Sequence, residues 1–163
     1  MTAKIYVGTY AKYNDGSIAG EWLDLADYAN NEEFFAACRN LHKDEDDPEL
    51  MFQDWEGIPE QYIGESGLSS DYWEFIDFIE NSYLDEVAIL AGLDLGIDLD
   101  NIEEAYSGTY CSDEEFAQDM AEQCGNLLEN PVWPYTCIDW EYAARELMYD
   151  YNESNNHYFS NNW

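Results

Sequence analysis

The sequence predicts an α+β protein laid out in three consecutive segments, on three observations. Residues 1–61 combine β-forming runs with a single amphipathic stretch, residues 62–103 show helical periodicity, and residues 104–163 mix the two. Aromatic residues make up 17% of the chain, with 14 Tyr, 7 Phe and 6 Trp, which is enough to build cores despite a formal charge of −32. A chain this charged but poor in rings would stay unfolded.

Ile5 to Tyr10 (IYVGTY) reads as a strand, Asn14-Asp15-Gly16 as a turn, and Ile18 to Leu25 as a second strand. Asn30 is placed to cap a helix, with Glu33 at the capping-box position three residues on. Phe34, Phe35, Cys38 and Leu41 recur at helical spacing, and Arg39 and Lys43 fall near the helix end, where cations suit the dipole. The acidic run Asp44 to Asp47 and Pro48 end that helix. Leu50 to Glu56 is the next strand, stopped by Gly57-Ile58-Pro59. The first segment is thus a ββαβ unit, an antiparallel sheet under one helix.

The middle segment reads as entirely helical. After Ser69-Ser70, one helix face carries Tyr72, Phe75, Ile76, Ile79 and Tyr83, while Asp71, Glu74, Asp77 and Glu80 wind around the other side. Asp85 to Ala91 forms a shorter helix closed by Gly92, and Asp100 with Glu103 starts another that runs to about Tyr106.

Ser107 to Tyr110 opens the last segment as a short strand. Ser112 and Glu115 make a capping box for a helix through Cys124, with Phe116, Ala117, Met120 and Cys124 on its apolar face. Glu115, Asp119 and Glu122 form an acidic stripe opposite, and Gly125-Asn126 closes the helix. Asn130-Pro131 and Trp133-Pro134 mark a loop. Asp139 caps a further helix with Trp140, Ala144, Leu147 and Tyr151 inward and an Arg145–Glu141 pair outside. His157 to Phe159 is a terminal strand.

Catalytic chemistry has little to stand on. His42 and His157 sit in no nucleophile motif, and there is neither a GxGxxG nor a P-loop. A carboxylate pair for glycoside hydrolysis could be chosen anywhere among 37 acids, so the choice carries no information. Asp94, Asp98 and Asp100 superficially resemble a calcium loop. Counted from Asp94, however, Leu99 stands where an EF-hand needs glycine, and Ala105 where it needs a bidentate Glu. The expectation is no enzyme, no metal and no cofactor.

Cys38, Cys111, Cys124 and Cys137 form no CxxC pair or zinc spacing, so reduced, mostly buried thiols in a cytoplasmic protein are expected. No basic region followed by an apolar run opens the sequence. The longest apolar stretch, Val87 to Ala91, is too short for a bilayer, and an acidic surface is repelled by anionic lipid. A soluble protein with no membrane contact is expected.

The main signal is charge arrangement. Between Lys43 and Arg145 there is no lysine or arginine, and that stretch holds 28 of the 37 carboxylates. Two carboxylates one helical turn apart, about 6 Å, repel by about 0.7 kcal/mol even at water's dielectric constant. An ordinary surface mixes both signs and offsets this repulsion. A halophile-style coat would explain the charge but not the ordered helical stripes. B-DNA carries about one negative charge per 1.7 Å of axis, so 32 charges correspond to roughly 54 Å of duplex. A groove lined with Lys and Arg would meet a complementary field.

Several stretches resemble the ArdA antirestriction proteins. They are IYVGTYAKYNDGSIAGEWLDL near the start, DWEGIP at Asp54 to Pro59, the AYSGTY–SDEEFA block from Ala105 to Ala117, and YTCIDWEYAARELM from Tyr135 to Met148. The resemblance covers essentially the full chain in the expected order. It implies a protein of mobile genetic elements that mimics DNA, with three small domains per chain in an elongated homodimer. Such proteins occupy the DNA groove of type I restriction-modification enzymes and block restriction and often modification.

On that basis the three segments become an N-terminal domain, a helical middle domain and a C-terminal α+β domain that dimerises. The partner is then the methyltransferase core of the enzyme, with no direct nucleic-acid binding. Helix geometry nominates Asp71, Glu74, Asp77, Glu80, Asp85, Glu86, Glu103, Glu104, Glu115, Asp119 and Glu122 as DNA-mimicking acids. The resemblance places the dimer interface among Leu127, Leu128, Val132, Trp133 and Tyr135, with an internal core as the alternative for these residues. An acidic chaperone of histone-like proteins is the competing functional reading.

Overall fold

The computed structural model describes residues 3–125 and 130–163. The fold is α+β: the described residues hold seven α-helices and small antiparallel sheets. Two compact units, Met1–Asp77 and Phe78–Trp163, divide the chain.

In the first unit, β1 (Lys4–Thr9) is the central strand of a three-stranded antiparallel sheet, between β2 (Glu21–Asp24) and β3 (Leu50–Glu56). Ile5 and Val7 point into the core at every second position, as a half-buried strand requires. The β1–β3 ladder carries a bulge at Tyr6/Val7. Two details differ from the expectation. Tyr10–Asn14 forms a short helix, α1, whose N-cap Thr9 Oγ1 accepts from the Lys12 N–H at 3.3 Å. Strand β2 starts only at Glu21, leaving Ile18 74% exposed.

Helix α2 (Asn31–Leu41) is capped as predicted: Asn30 Oδ1 accepts from the Glu33 N–H at 3.0 Å, and Glu33 Oε2 reaches back to the Ala29 N–H at 3.0 Å. The helix buries Phe34 and Cys38, and the Phe34 ring lies 5.9 Å from that of Phe52 on β3. Burying a ring of this kind contributes about 1.5–3 kcal/mol. Beside the sheet, buried His42 donates from Nε2 to the Val7 carbonyl at 3.1 Å, and its Nδ1 accepts from Lys12 Nζ at 3.0 Å.

The middle of the chain is not entirely helical. A two-residue ladder, β4 (Ile63–Gly64) with β5 (Gly67–Leu68), precedes α3 (Asp71–Asn81). Tyr62 stacks on Phe75 of α3 with ring centroids 4.9 Å apart, and Tyr72 and Phe75 are the buried positions of that helix. Tyr83 falls beyond the helix end and is 72% exposed, so the periodicity does not carry it inward.

In the second unit, α4 (Glu86–Asp94) runs through Gly92 instead of stopping there. Gly92 is chosen for space: a Cβ would lie 3.1 Å from Phe159 Cε1 and 3.2 Å from Ile102 Cγ1. Helix α5 (Leu99–Ala105) begins one residue after Asp98, not at Asp100, and buries Ile102 and Ala105. A second three-stranded antiparallel sheet has the order β6 (Tyr106–Thr109), β8 (His157–Ser160), β7 (Tyr151–Ser154). Strand β7 replaces the expected helical continuation to Tyr151, because Asn155 and Asn156 take φ of 52° and 66° and fold the chain into a tight hairpin.

Helix α6 (Asp113–Gln123) ends at Cys124 with Gly125 at φ 70°, as predicted, and packs on α7 (Trp140–Leu147). Cys124 itself lies outside the apolar face. With Cys111 and Cys137 it is exposed, and only Cys38 is buried, its thiol pushed up to about 12 by desolvation. The four cysteines are unpaired, but they are not mostly buried. Among the described residues, no helix is long and apolar enough to cross a membrane.

Candidate functional site

The candidate acids of α3 and α6 sit on helices anchored by buried rings, whereas those of α4 and α5 are backed by buried aliphatic residues. On α3, burial of Tyr72 and Phe75 turns Asp71, Glu74, Asp77 and Glu80 to solvent, all four exposed. Asp71 and Glu74 lie in the first turn, where negative charge suits the dipole. Asp71 Oδ1 also accepts from Ser70 Oγ at 3.2 Å.

Asp85 is the N-cap of α4, accepting from the Ala88 N–H at 2.8 Å, and Glu86 follows it in the first turn, half-buried. Glu103 is bound into the structure: its Oε1 accepts from Ser82 Oγ at 2.6 Å, and its carbonyl accepts from Tyr83 Oη at 3.0 Å. Its neighbour Glu104 is exposed.

Helix α6 is organised around Phe116, fully buried between the rings of Tyr158 (4.6 Å), Tyr151 (4.9 Å) and Tyr110 (5.0 Å). That anchor points Glu115 and Glu122 outward. Glu115 also completes the capping box: Ser112 Oγ accepts from its N–H at 3.2 Å, while its Oε2 accepts from the Cys111 N–H at 2.7 Å. Asp119 does not join the outer stripe on equal terms. It is half-buried and accepts from Tyr110 Oη at 2.6 Å and from Gln123 Nε2 at 2.5 Å.

One acid the sequence reading passed over belongs with these. Asp113 Oδ1 accepts from Tyr158 Oη at 2.7 Å. The donor arrives from 45 positions away, so helical spacing carried no signal for it. Burial and the bonded carboxylate push the Tyr110 phenol up to about 12, and burial followed by Asp113 raises Tyr158 in the same way.

The ion pairs of the described residues are made by other carboxylates, although Arg145 of α7 lines one cavity with Asp113 and Glu114 of α6. Lys4 pairs with Glu56 at 3.0 Å, Lys12 with Asp44 and Glu45 at 3.0 and 3.5 Å, and Arg145 with Glu141 at 3.2 Å. None of these pairs uses a carboxylate of α3, α4, α5 or α6. The Lys12 ammonium holds the Asp44 carboxyl below the usual carboxylate range. Among the described residues, no group of three or more His, Cys, Asp or Glu is arranged to hold a metal ion. Chemically these acids supply negative charge and hydrogen-bond acceptors.

Of the residues named for dimer contact, Val132, Trp133 and Tyr135 are 63%, 79% and 47% exposed, so they are not internal core. Leu127 and Leu128 lie outside the described residues.

No curated protein matches the chain. A family model described as antirestriction protein (ArdA) matches residues 5–160, and antirestriction is an inhibitory activity. With nearly its whole length matched, the chain belongs to the ArdA antirestriction family.

Proposed function

We propose that this antirestriction protein acts as a DNA mimic. It occupies the DNA-binding groove of type I restriction-modification enzymes and inhibits restriction, and with it modification. The observation that carries this reading is the folded state of the described residues of the cation-free stretch. The acids of α3 and α6 stand on helices with buried aromatic undersides, so the charges are carried on folded helices instead of drifting on a disordered tail. Inhibition is then competitive and non-catalytic: carboxylates take the positions of phosphates against the Lys and Arg that contact DNA. The protein works in the cytoplasm as a homodimer, joined through the exposed apolar residues Val132, Trp133 and Tyr135, and does not itself bind nucleic acid.

The test is competition. The protein is titrated into a complex of purified type I methyltransferase and labelled cognate duplex. Release of the duplex at stoichiometric inhibitor is expected. Simultaneous binding of inhibitor and duplex, with no loss of affinity for either, overturns groove occupancy. Preferential capture of small histone-like proteins over the methyltransferase would favour the chaperone reading.

A further inference from the structure

We infer that Tyr110 and Tyr158 are positioning residues, whose phenols hold Asp119 and Asp113 at fixed points so that α6 meets its partner with two rigid charges. This rests on the reading that the acids of α6 contact the partner.

The two contacts form one device. Tyr110 and Tyr158 pack edge to face, with ring centroids 5.6 Å apart, and both rings lie against Phe116. Phe116 sits between Asp113 and Asp119 in the sequence of α6, so a single aromatic cluster supplies the helix anchor and both hydroxyl donors. At 2.6 and 2.7 Å the bonds are as short as O–H to carboxylate bonds become when the acceptor is charged. The tyrosines come from different places: Tyr110 follows β6, and Tyr158 lies within β8. The acids are six residues apart, about 9 Å along the helix axis.

Each phenol uses one carboxylate oxygen and leaves the other able to accept. Both bonds to Asp119 fall on Oδ2, and the bond to Asp113 falls on Oδ1. A carboxylate has about four acceptor positions, so these bonds orient the charge without using it up. Tethering matters because an interface pays for every side chain it immobilises. The phosphates of a duplex are already fixed by their backbone. A mimic whose acids swing freely loses affinity on that account, and acids held before binding do not.

The experiment uses Tyr110→Phe and Tyr158→Phe, which keep the rings on Phe116 and delete only the donors. Each is made alone and together with the Asn variant of its acid, and inhibition of a purified type I enzyme is titrated for all. Each phenylalanine variant should raise the inhibitory concentration by roughly two- to tenfold, from the ordering cost of one side chain. The loss should vanish in the Asp119→Asn or Asp113→Asn background. A merely structural role predicts a loss that persists in the asparagine background, and that result overturns the inference.

A second measurement covers a variant that fails to fold. NMR relaxation of the side-chain carboxyl groups of the unaltered protein should show Asp113 and Asp119 more rigid than Glu122, and equal mobility also overturns it. The underlying reading fails separately. If Glu115→Gln, Glu122→Gln, Asp113→Asn and Asp119→Asn combined leave inhibition unchanged, α6 is not a contact surface at all.

Discussion

Removing charge from α3 should make the protein more stable and a poorer inhibitor at once. Glu74 and Glu80 are exposed, and in the run Asp71, Glu74, Asp77, Glu80 their replacement by glutamine removes every i, i+3 repulsion along the helix. Each such pair is worth about 0.7 kcal/mol at about 6 Å in water. A Debye length of about 8 Å at physiological salt cuts that by about half, so the three pairs together are worth about 1 kcal/mol. The dipole terms offset one another. Glu74 in the first turn gives up about 0.3–1 kcal/mol of favourable interaction, and Glu80 near the C-terminal end relieves a comparable penalty.

The Glu74→Gln, Glu80→Gln protein should therefore gain about 1 kcal/mol in urea denaturation at physiological salt. The gain should shrink toward zero in 1 M salt, where the Debye length is about 3 Å. The same variant, titrated against a type I enzyme, should inhibit less well. Lower stability with unchanged inhibition would refute the idea that α3 carries charge for a partner at the expense of its own fold.

Gly92→Ala sets helix propensity against space: about 1 kcal/mol is gained from the helix, against about 1–3 kcal/mol from overpacking. Because Phe159 and Ile102 are both fully buried, a net loss of about 1 kcal/mol in denaturation is expected, and a net gain would show that they move. At alkaline pH, Tyr110 in the unfolded chain loses its proton near 10, while the folded state holds it to about 12. The folded state then binds more protons, so the melting temperature should fall from about pH 10 upward, more gently in Tyr110→Phe; a flat profile would contradict the Asp119 bond. Inhibitor binding should weaken with salt on a shallower slope than the enzyme's own DNA complex, because protein carboxylates condense fewer counterions than phosphates; parallel slopes measured from 50 to 200 mM would count against this. Trp133→Ser should shift the protein toward monomer in sedimentation, and an unchanged oligomeric state would remove Trp133 from the interface.

Local rules made part of this molecule readable in advance. Caps at Asn30, Ser112 and Asp139 act within three or four residues, so the starts of α2, α6 and α7 were legible, as were the unpaired cysteines and the cation-free stretch. Strand β3 matched residue for residue, because turn-forming residues bound a run rich in apolar side chains. The α+β class and the family resemblance followed from such local runs.

What local rules missed depends on partners distant in sequence. Gly92 looked like a helix stop, and only the tertiary structure shows Phe159 and Ile102 closing on it inside α4. Tyr151 kept helical spacing with Trp140, yet pairing with β8 across the Asn155-Asn156 turn was the stronger claim on its backbone hydrogen bonds. Spacing alone ranked Asp119 with Glu115 and Glu122 and passed over Asp113. Periodicity records which way a side chain points from its own helix, whereas its partners are set by whichever strand folds against that helix, here the one carrying Tyr158.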